Sequence, residues 1–203
     1  MIRLYLTRHG QTEWNTQKKM QGWEDSPLTS QGIHEAKLLG DKIGEIHLDC
    51  VYSSDALRAL STSDLIIGNR NIPTNKTPAL REINLGIWEG MTFDEIKSKY
   101  PEQFKVFWNK PELFIPEGGE SFSQVQSRAI DFISREIISQ YTDGNFLLVC
   151  HTVIIKVILA YYEPRPLSDI WNSPYIHPTS LSLVEIGDDD HKICFAGDTT
   201  HIK

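Results

Sequence analysis

The 203 residues include 40% hydrophobic and 23% charged residues, the balance of one globular domain, expected to span 1–203 around a sizeable core. A formal net charge of −7 speaks against nucleic acid or an acidic membrane as the main partner, while clustered Arg and His can still set a local field for a small anion. No apolar run approaches the ~20 residues of a membrane span, and no signal-peptide core opens the chain. Cys50, Cys150 and Cys194 show no Cys-x-x-Cys spacing, so free thiols and a cytoplasmic location are expected.

Met1 to Leu6 favours a strand running into Thr7, and Gly10 then permits a turn that a Cβ would resist. Arg8 and His9 are thereby expected at the carboxyl end of a strand, where ligands sit in open α/β sheets. Arg offers a planar fork of donors to two phosphate oxygens, and an unprotonated imidazole beside it is a nucleophile. Residues 20–29 read as a loop ending at Thr29 or Ser30, which caps a helix over 31–46 with apolar Ile33, Ala36, Leu39, Ile43 and Ile46. Residues 49–53 form a short strand. Asp55 or Ser54 is then expected to cap a helix with Arg58 in its first turn. A cation there opposes the helix dipole unless an anion is held at the same end.

The stretch 71–79, with Pro73 and Pro78, reads as an edge strand. Glu82 follows. A carboxyl on the rim of a partly dry pocket can have its pKa raised enough to protonate a leaving alkoxide, whereas the plainer reading pairs it with Arg81. Glu89 reads as a structural or surface residue. Trp88, Phe93, Tyr100, Phe104, Phe107, Trp108 and Phe114 crowd two short helices over 92–99 and 102–109. They either pack this insertion, 85–118, onto the sheet or present an aromatic lid to a substrate. Gly118-Gly119 makes a turn that positions loop and helix, and a helix is expected over 122–140. The apolar run 146–150 is a strand buried on both faces, delivering His151 before a helix over 153–161. Two strands, 180–186 and 192–196, flank a turn at 187–190 whose Asp triplet reads as solvated carboxylates rather than a metal site.

Several of these stretches, in this order, resemble motifs of the histidine phosphatase superfamily, in the branch of phosphoglycerate mutase and its related phosphatases. They are Leu6 to Asn15 around Arg8-His9-Gly10, Gln21-Gly22 with Asp25-Ser26-Pro27-Leu28-Thr29, Ser53 to Ala59, Leu80 to Gly90, and Gly118-Gly119-Glu120-Ser121. The resemblance implies an α/β three-layer sandwich: a mainly parallel central sheet, helices on both faces and a small helical insertion over the active site. It implies His9 as the nucleophile, and Arg8, Arg58 and His151 (cationic when phosphate is bound) around the phosphoryl group. Glu82 stands where the family has its proton-transferring carboxylate, and Asn15, Gln21 and Gly22 where a loop covers the phosphate. The family usually has His-Gly where this chain has His151-Thr152. The Thr152 amide still opens a helix, a position that suits anions, but its side chain bears on substrate preference.

The expected activity is hydrolysis of small phosphorylated metabolites through a phosphohistidine, with no metal and no organic cofactor. A phosphoglycerate mutase is the alternative. Mutases carry a longer, more basic insertion after the catalytic Glu, whereas this one is compact and aromatic. A catalytically weak phospho-ligand binding protein is the third reading, and it would be expected to lack one of His9, Arg8, Arg58 or Glu82. The substrate's identity and the choice between monomer and homodimer stay open.

Overall fold

The computed structural model describes residues 1–188 and 190–202; Asp189, within the acidic turn, and Lys203 lie outside the described residues. One sheet has the strand order β3-β2-β4-β1-β5-β6, from β1 (Ile2–Arg8), β2 (Cys50–Ser54), β3 (Thr74–Thr77), β4 (Gly144–Cys150), β5 (Leu181–Ile186) and β6 (His191–Asp198). The pairs β1–β4, β4–β2 and β2–β3 are parallel, and β5 runs against its neighbours β1 and β6. The sheet is thus mainly parallel, as expected. β3 takes an edge, where flanking Pro73 and Pro78 cost no central ladder hydrogen bond.

The helices are α1 (Glu13–Thr16), α2 (Ser30–Lys42), α3 (Leu57–Ile67), α4 (Phe93–Lys99), α5 (Pro101–Asn109), α6 (Phe122–Phe132) and α7 (Thr152–Tyr162). Thr29 caps α2 as expected. The helix expected over 122–140 is two pieces, because after Phe132 the chain widens into a π-helical stretch, Ile133–Ile138, with Ile133 and Ile137 both buried.

Alternation along the strands gives the sheet a core on each face. Leu4 and Leu6 of β1 and Phe146 and Leu148 of β4 pack with Val125 and Ala129 of α6 and with the apolar residues of α7. Tyr5, Leu147 and Val149 point the other way, toward Leu39 of α2 and Ala59 and Ile66 of α3. β4 is fully buried from Phe146 to Cys150, which is why its sequence is continuously apolar.

One consequence places the site. The helix following β1 packs on one face and the helix following β4 on the other, although β1 and β4 are neighbours. The connections leaving their paired carboxyl ends therefore diverge and open a crevice, the usual ligand position in such sheets.

Candidate active site

Parallel pairing sets Arg8 beside Cys150, and the His9 N–H continues the ladder to the Cys150 carbonyl at 3.0 Å. His9 and His151 are the next residues on adjacent strands, so their ring centroids stand 5.1 Å apart, near the ~4.8 Å strand spacing. His9 Nδ1 lies 2.8 Å from the Gly10 carbonyl oxygen, which can only accept. Nδ1 therefore carries the ring proton and Nε2 keeps its lone pair. The residue is 4% exposed, and burial, then Arg58 and Arg8, hold its pKa well below the usual 6.5. His9 is a neutral imidazole with an open nitrogen.

Gly10 serves a different purpose from the expected turn. Its φ is not positive, but a Cβ there would meet the Gly32 carbonyl oxygen at 2.7 Å, so glycine permits close approach to the first turn of α2.

His151 is fully buried. Its Nδ1 faces Arg58 Nη2 at 3.1 Å, which can only donate, leaving Nε2–H for the Ser54 hydroxyl at 2.9 Å. Burial, Arg58, His9 and Arg8 push its pKa well below 6.5. This geometry holds a neutral ring, with Arg58 on one nitrogen and Ser54 on the other.

Arg58, 1% exposed, donates through Nη1 to the Glu24 carbonyl (2.8 Å) and Asp25 (2.9 Å), and through Nη2 to the Gly22 carbonyl (2.6 Å). Asp25 also accepts the Leu57 amide at 2.6 Å. It is the anion that a cation in the first turn of α3 requires, and it comes from a loop. The expected caps differ: Ala56 is the N-cap residue without a side-chain bond, and Ser54 Oγ reaches only its amide, at 3.4 Å. Asp55 instead forms a fork with Arg81 at 2.6 and 2.7 Å, which lowers its pKa. Arg81 is thereby taken, and the plainer pairing for Glu82 is not observed.

Glu89 is structural, and most of its partners lie far away in the sequence. Its carboxylate accepts the amides of Gly22 (3.0 Å), Trp23 (2.9 Å), Glu24 (3.3 Å) and Leu85 (3.1 Å), fixing the loop whose carbonyls hold Arg58. A Cβ on Gly22 would lie 2.3 Å from Glu89 Oε1, so the Gln-Gly and Trp-Glu-Gly motifs are two halves of one clasp.

Glu82, 7% exposed, accepts the Ile83 amide at 2.9 Å and the Val153 amide, at the start of α7, at 3.1 Å. Burial raises its pKa, against the pull of the Val153 and Ile83 amides and of Arg58 and Arg8. Behind it, Arg128 donates to the Glu82 carbonyl (2.9 Å) and pairs with Glu120, which accepts the Asn84 amide. The Gly-Gly-Glu-Ser turn thus braces the Glu82 loop, and Ser121 caps α6.

A cavity of about 500 Å³ opens on this cluster. Arg8, His9, Glu82, Asn15, Gln21 and Thr152 line it; Arg58 and His151 stand behind His9, and Gly22, its amide held by Glu89, does not reach the wall. Gln21 spends its side chain on Thr12 and Ser26, while Asn15 uses Oδ1 on the Thr12 amide. Arg8 donates Nη1 to the Ile176 carbonyl at 3.0 Å, and the Nε–H groups of Arg8 and Arg58 are both buried without a partner among the described residues. Phe93, Phe107, Trp108, Trp171 and Tyr175 supply an aromatic wall. Trp88 and Phe114 lie beneath it as core, so the aromatic insertion packs onto the sheet and also lines the cavity. Sequence reasoning missed Trp171, Tyr175 and Lys156, since nothing in their local pattern departs from loop or apolar helix. His177 is exposed against Tyr175 and does not line the cavity.

The sequence profile of the histidine phosphatase superfamily (branch 1) matches residues 4–199. Phosphoserine phosphatase 1 of Hydrogenobacter thermophilus is 33% identical over 172 residues, 85% of this chain and 81% of that protein. A 2,3-bisphosphoglycerate-dependent phosphoglycerate mutase of Bradyrhizobium diazoefficiens is 36% identical over 166 residues, covering 79% and 80%. The solved structure of Bacillus stearothermophilus YhfR superposes with a TM-score of 0.96 at 39% identity, over 100% of both chains. With strand-end Arg8-His9 at the crevice of a matching fold, the chain belongs to the histidine phosphatase superfamily.

Proposed function

We propose that this enzyme hydrolyses small phosphate monoesters in two steps, with His9 as the covalent carrier. The observation that supports it most directly is the fixed, neutral His9 ring, its Nδ1–H donated to Gly10 and its Nε2 bare. Nε2 attacks phosphorus, the P–O ester bond breaks, and its electron pair leaves on an oxygen that takes a proton from Glu82. Burial, by raising the Glu82 pKa, favours the protonated acid this step needs. Water then attacks the phosphohistidine and gives its proton to Glu82. The P–N bond breaks, its pair returns to Nε2, and inorganic phosphate departs. The orphaned Nε–H donor of Arg8, which lines the cavity, is matched by a phosphoryl oxygen, and Arg58 adds its charge from behind His9 as negative charge spreads in the transition state. His151 holds Arg58 from behind. Asn15 and Thr152 border the phosphoryl site, and Gln21 shapes the loop over it.

Residues 85–118 act as a lid within a single domain. Their cavity-facing side chains are apolar (Leu85, Phe93, Phe107 and Trp108) and none is the cation a second phosphate would need. This favours hydrolysis over the mutase reaction named for one relative, and an apolar or ring-bearing leaving group over a compact polar one. No helix among the described residues is long and apolar enough to cross a membrane.

A screen of phosphorylated metabolites that reads phosphate release and isomerisation separately tests the proposal. Hydrolysis that survives a chelator and is inhibited by orthovanadate, a mimic of pentacoordinate phosphorus, is expected. Fast isomerisation of 3-phosphoglycerate with negligible phosphate release overturns it.

A further inference from the structure

The cavity carries a cation that the phosphoryl chemistry does not use. Lys156 lies on α7 one turn beyond Val153, whose amide holds Glu82. It is 7% exposed and lines the cavity, as well as an adjoining one bounded by Glu163 and Arg165. Its Nζ donates to the Asn172 carbonyl at 2.6 Å, between Trp171 and Ser173 on the cavity wall. Among the described residues no carboxylate stands within 4.0 Å of it. An ammonium has three donors, and one is matched here. Burial, then the nearby Arg165, lowers its pKa to about 8, so it remains an ammonium at neutral pH. A buried cation without a counter-charge is unfavourable, and a ligand that brings the charge relieves it.

The surroundings define that ligand. Phe107, Trp108 and Trp171 give the same part of the cavity ring faces and little hydrogen-bonding capacity. Lys19 lines the same cavity but stands over the Trp14 ring, 5.5 Å from its centroid. At Lys156, therefore, a single ammonium with two donors left matches the single charge of a carboxylate better than the double charge of a second phosphate, which calls for an Arg fork or several cations together.

We propose that Lys156 determines specificity by pairing with a carboxylate carried on an apolar or aromatic leaving group. This rests on the hydrolase reading for the phosphoryl end only. The test measures binding without turnover: calorimetric titration of wild type and Lys156→Met with 4-carboxyphenylphosphonate and 4-methylphenylphosphonate at pH 7. Wild type is expected to prefer the carboxylated compound by about tenfold or more, and the variant by less than about twofold. Lys156→Gln is the second variant, judged by the same ratio. A preference that is equal in wild type and variants, or absent from wild type, overturns the assignment. Phosphate release from the two matching aryl phosphates is followed in parallel. Carboxylate-selective binding without phosphate release supports Lys156 and defeats the hydrolase reading; turnover without selectivity defeats Lys156 alone.

Discussion

At one end of the cavity, Arg8, His9 and Glu82 are held by the main-chain groups of Ile176, Gly10, Ile83 and Val153, each bond 2.8–3.1 Å long. At the other, Phe93, Phe107, Trp108 and Trp171 hold one another through ring contacts with centroids 4.7–6.2 Å apart. The first arrangement is directional and leaves each group one orientation. The second is non-directional, so a change of side chain reshapes the wall without moving the chemistry. A fold built this way can keep one reaction and vary its esters. Substitutions at the first end should therefore lower turnover of every ester, and those at the second should sort esters by leaving group.

His9→Ala is the severest break. It removes the nucleophile, and kcat is expected to fall by ~10⁴-fold or more for all esters, with loss of an acid-labile phosphoenzyme in quenched-flow labelling. Glu82→Gln should separate substrates by their need for a proton: a loss of roughly 10²–10³-fold for alkyl phosphates, and under about tenfold for 4-nitrophenyl phosphate, whose leaving oxygen is stable as an anion. An equal loss on both would remove Glu82 from the acid role.

Asp25→Ala probes a support no local pattern reveals. The carboxylate caps α3 and pairs with Arg58, so its loss should cost about 1 kcal/mol of stability by thermal melt. Turnover should fall roughly tenfold as Arg58 loses its register. Trp108→Ala belongs to the other end. Its KM for aryl phosphates should rise about tenfold while that for small alkyl phosphates stays within about twofold. A uniform change would make Trp108 packing only.

This contrast also explains what the sequence made readable. Arg8 ends β1 and His9 and His151 follow their strands, and their juxtaposition needs only the parallel register that alternating and continuous apolar runs imply. Asp25 and Glu89 act across distance, Asp25 on an amide 32 residues away and Glu89 on one 67 residues away, so neither is visible in a window of neighbours. The motif reading set Gly22 against phosphate, whereas glycine is required there by the Glu89 carboxylate behind it. Lys156 and Trp171 were hidden for the opposite reason. One sits in the apolar rhythm of α7 and the other in an irregular segment, and only the packed structure turns them toward the same cavity.

The last expected effect concerns stability, not turnover, at the directional end. His9 and His151 are buried and neutral, with pKa values well below the 6.5 they take in an unfolded chain. As pH falls through 6.5 the unfolded chain binds their protons and the folded chain does not, so the stability present above that pH is progressively lost. Each contributes a slope of up to about 1.4 kcal/mol per pH unit. Half-buried His201, whose pKa burial also lowers, acts in the same direction. Glu82 acts the other way: its raised pKa makes the folded chain hold a proton more tightly, a stabilisation present below about pH 4.5 and lost as pH rises through its folded value. Between pH 7 and 5.5 two fully buried histidines outweigh one carboxyl, and Tm should drop on acidification. In His151→Gln one of the histidine terms is gone, and the slope of Tm against pH should flatten even if the variant melts lower throughout. An unchanged slope would mean that the ring is already protonated in the folded protein, with Arg58 no longer its donor.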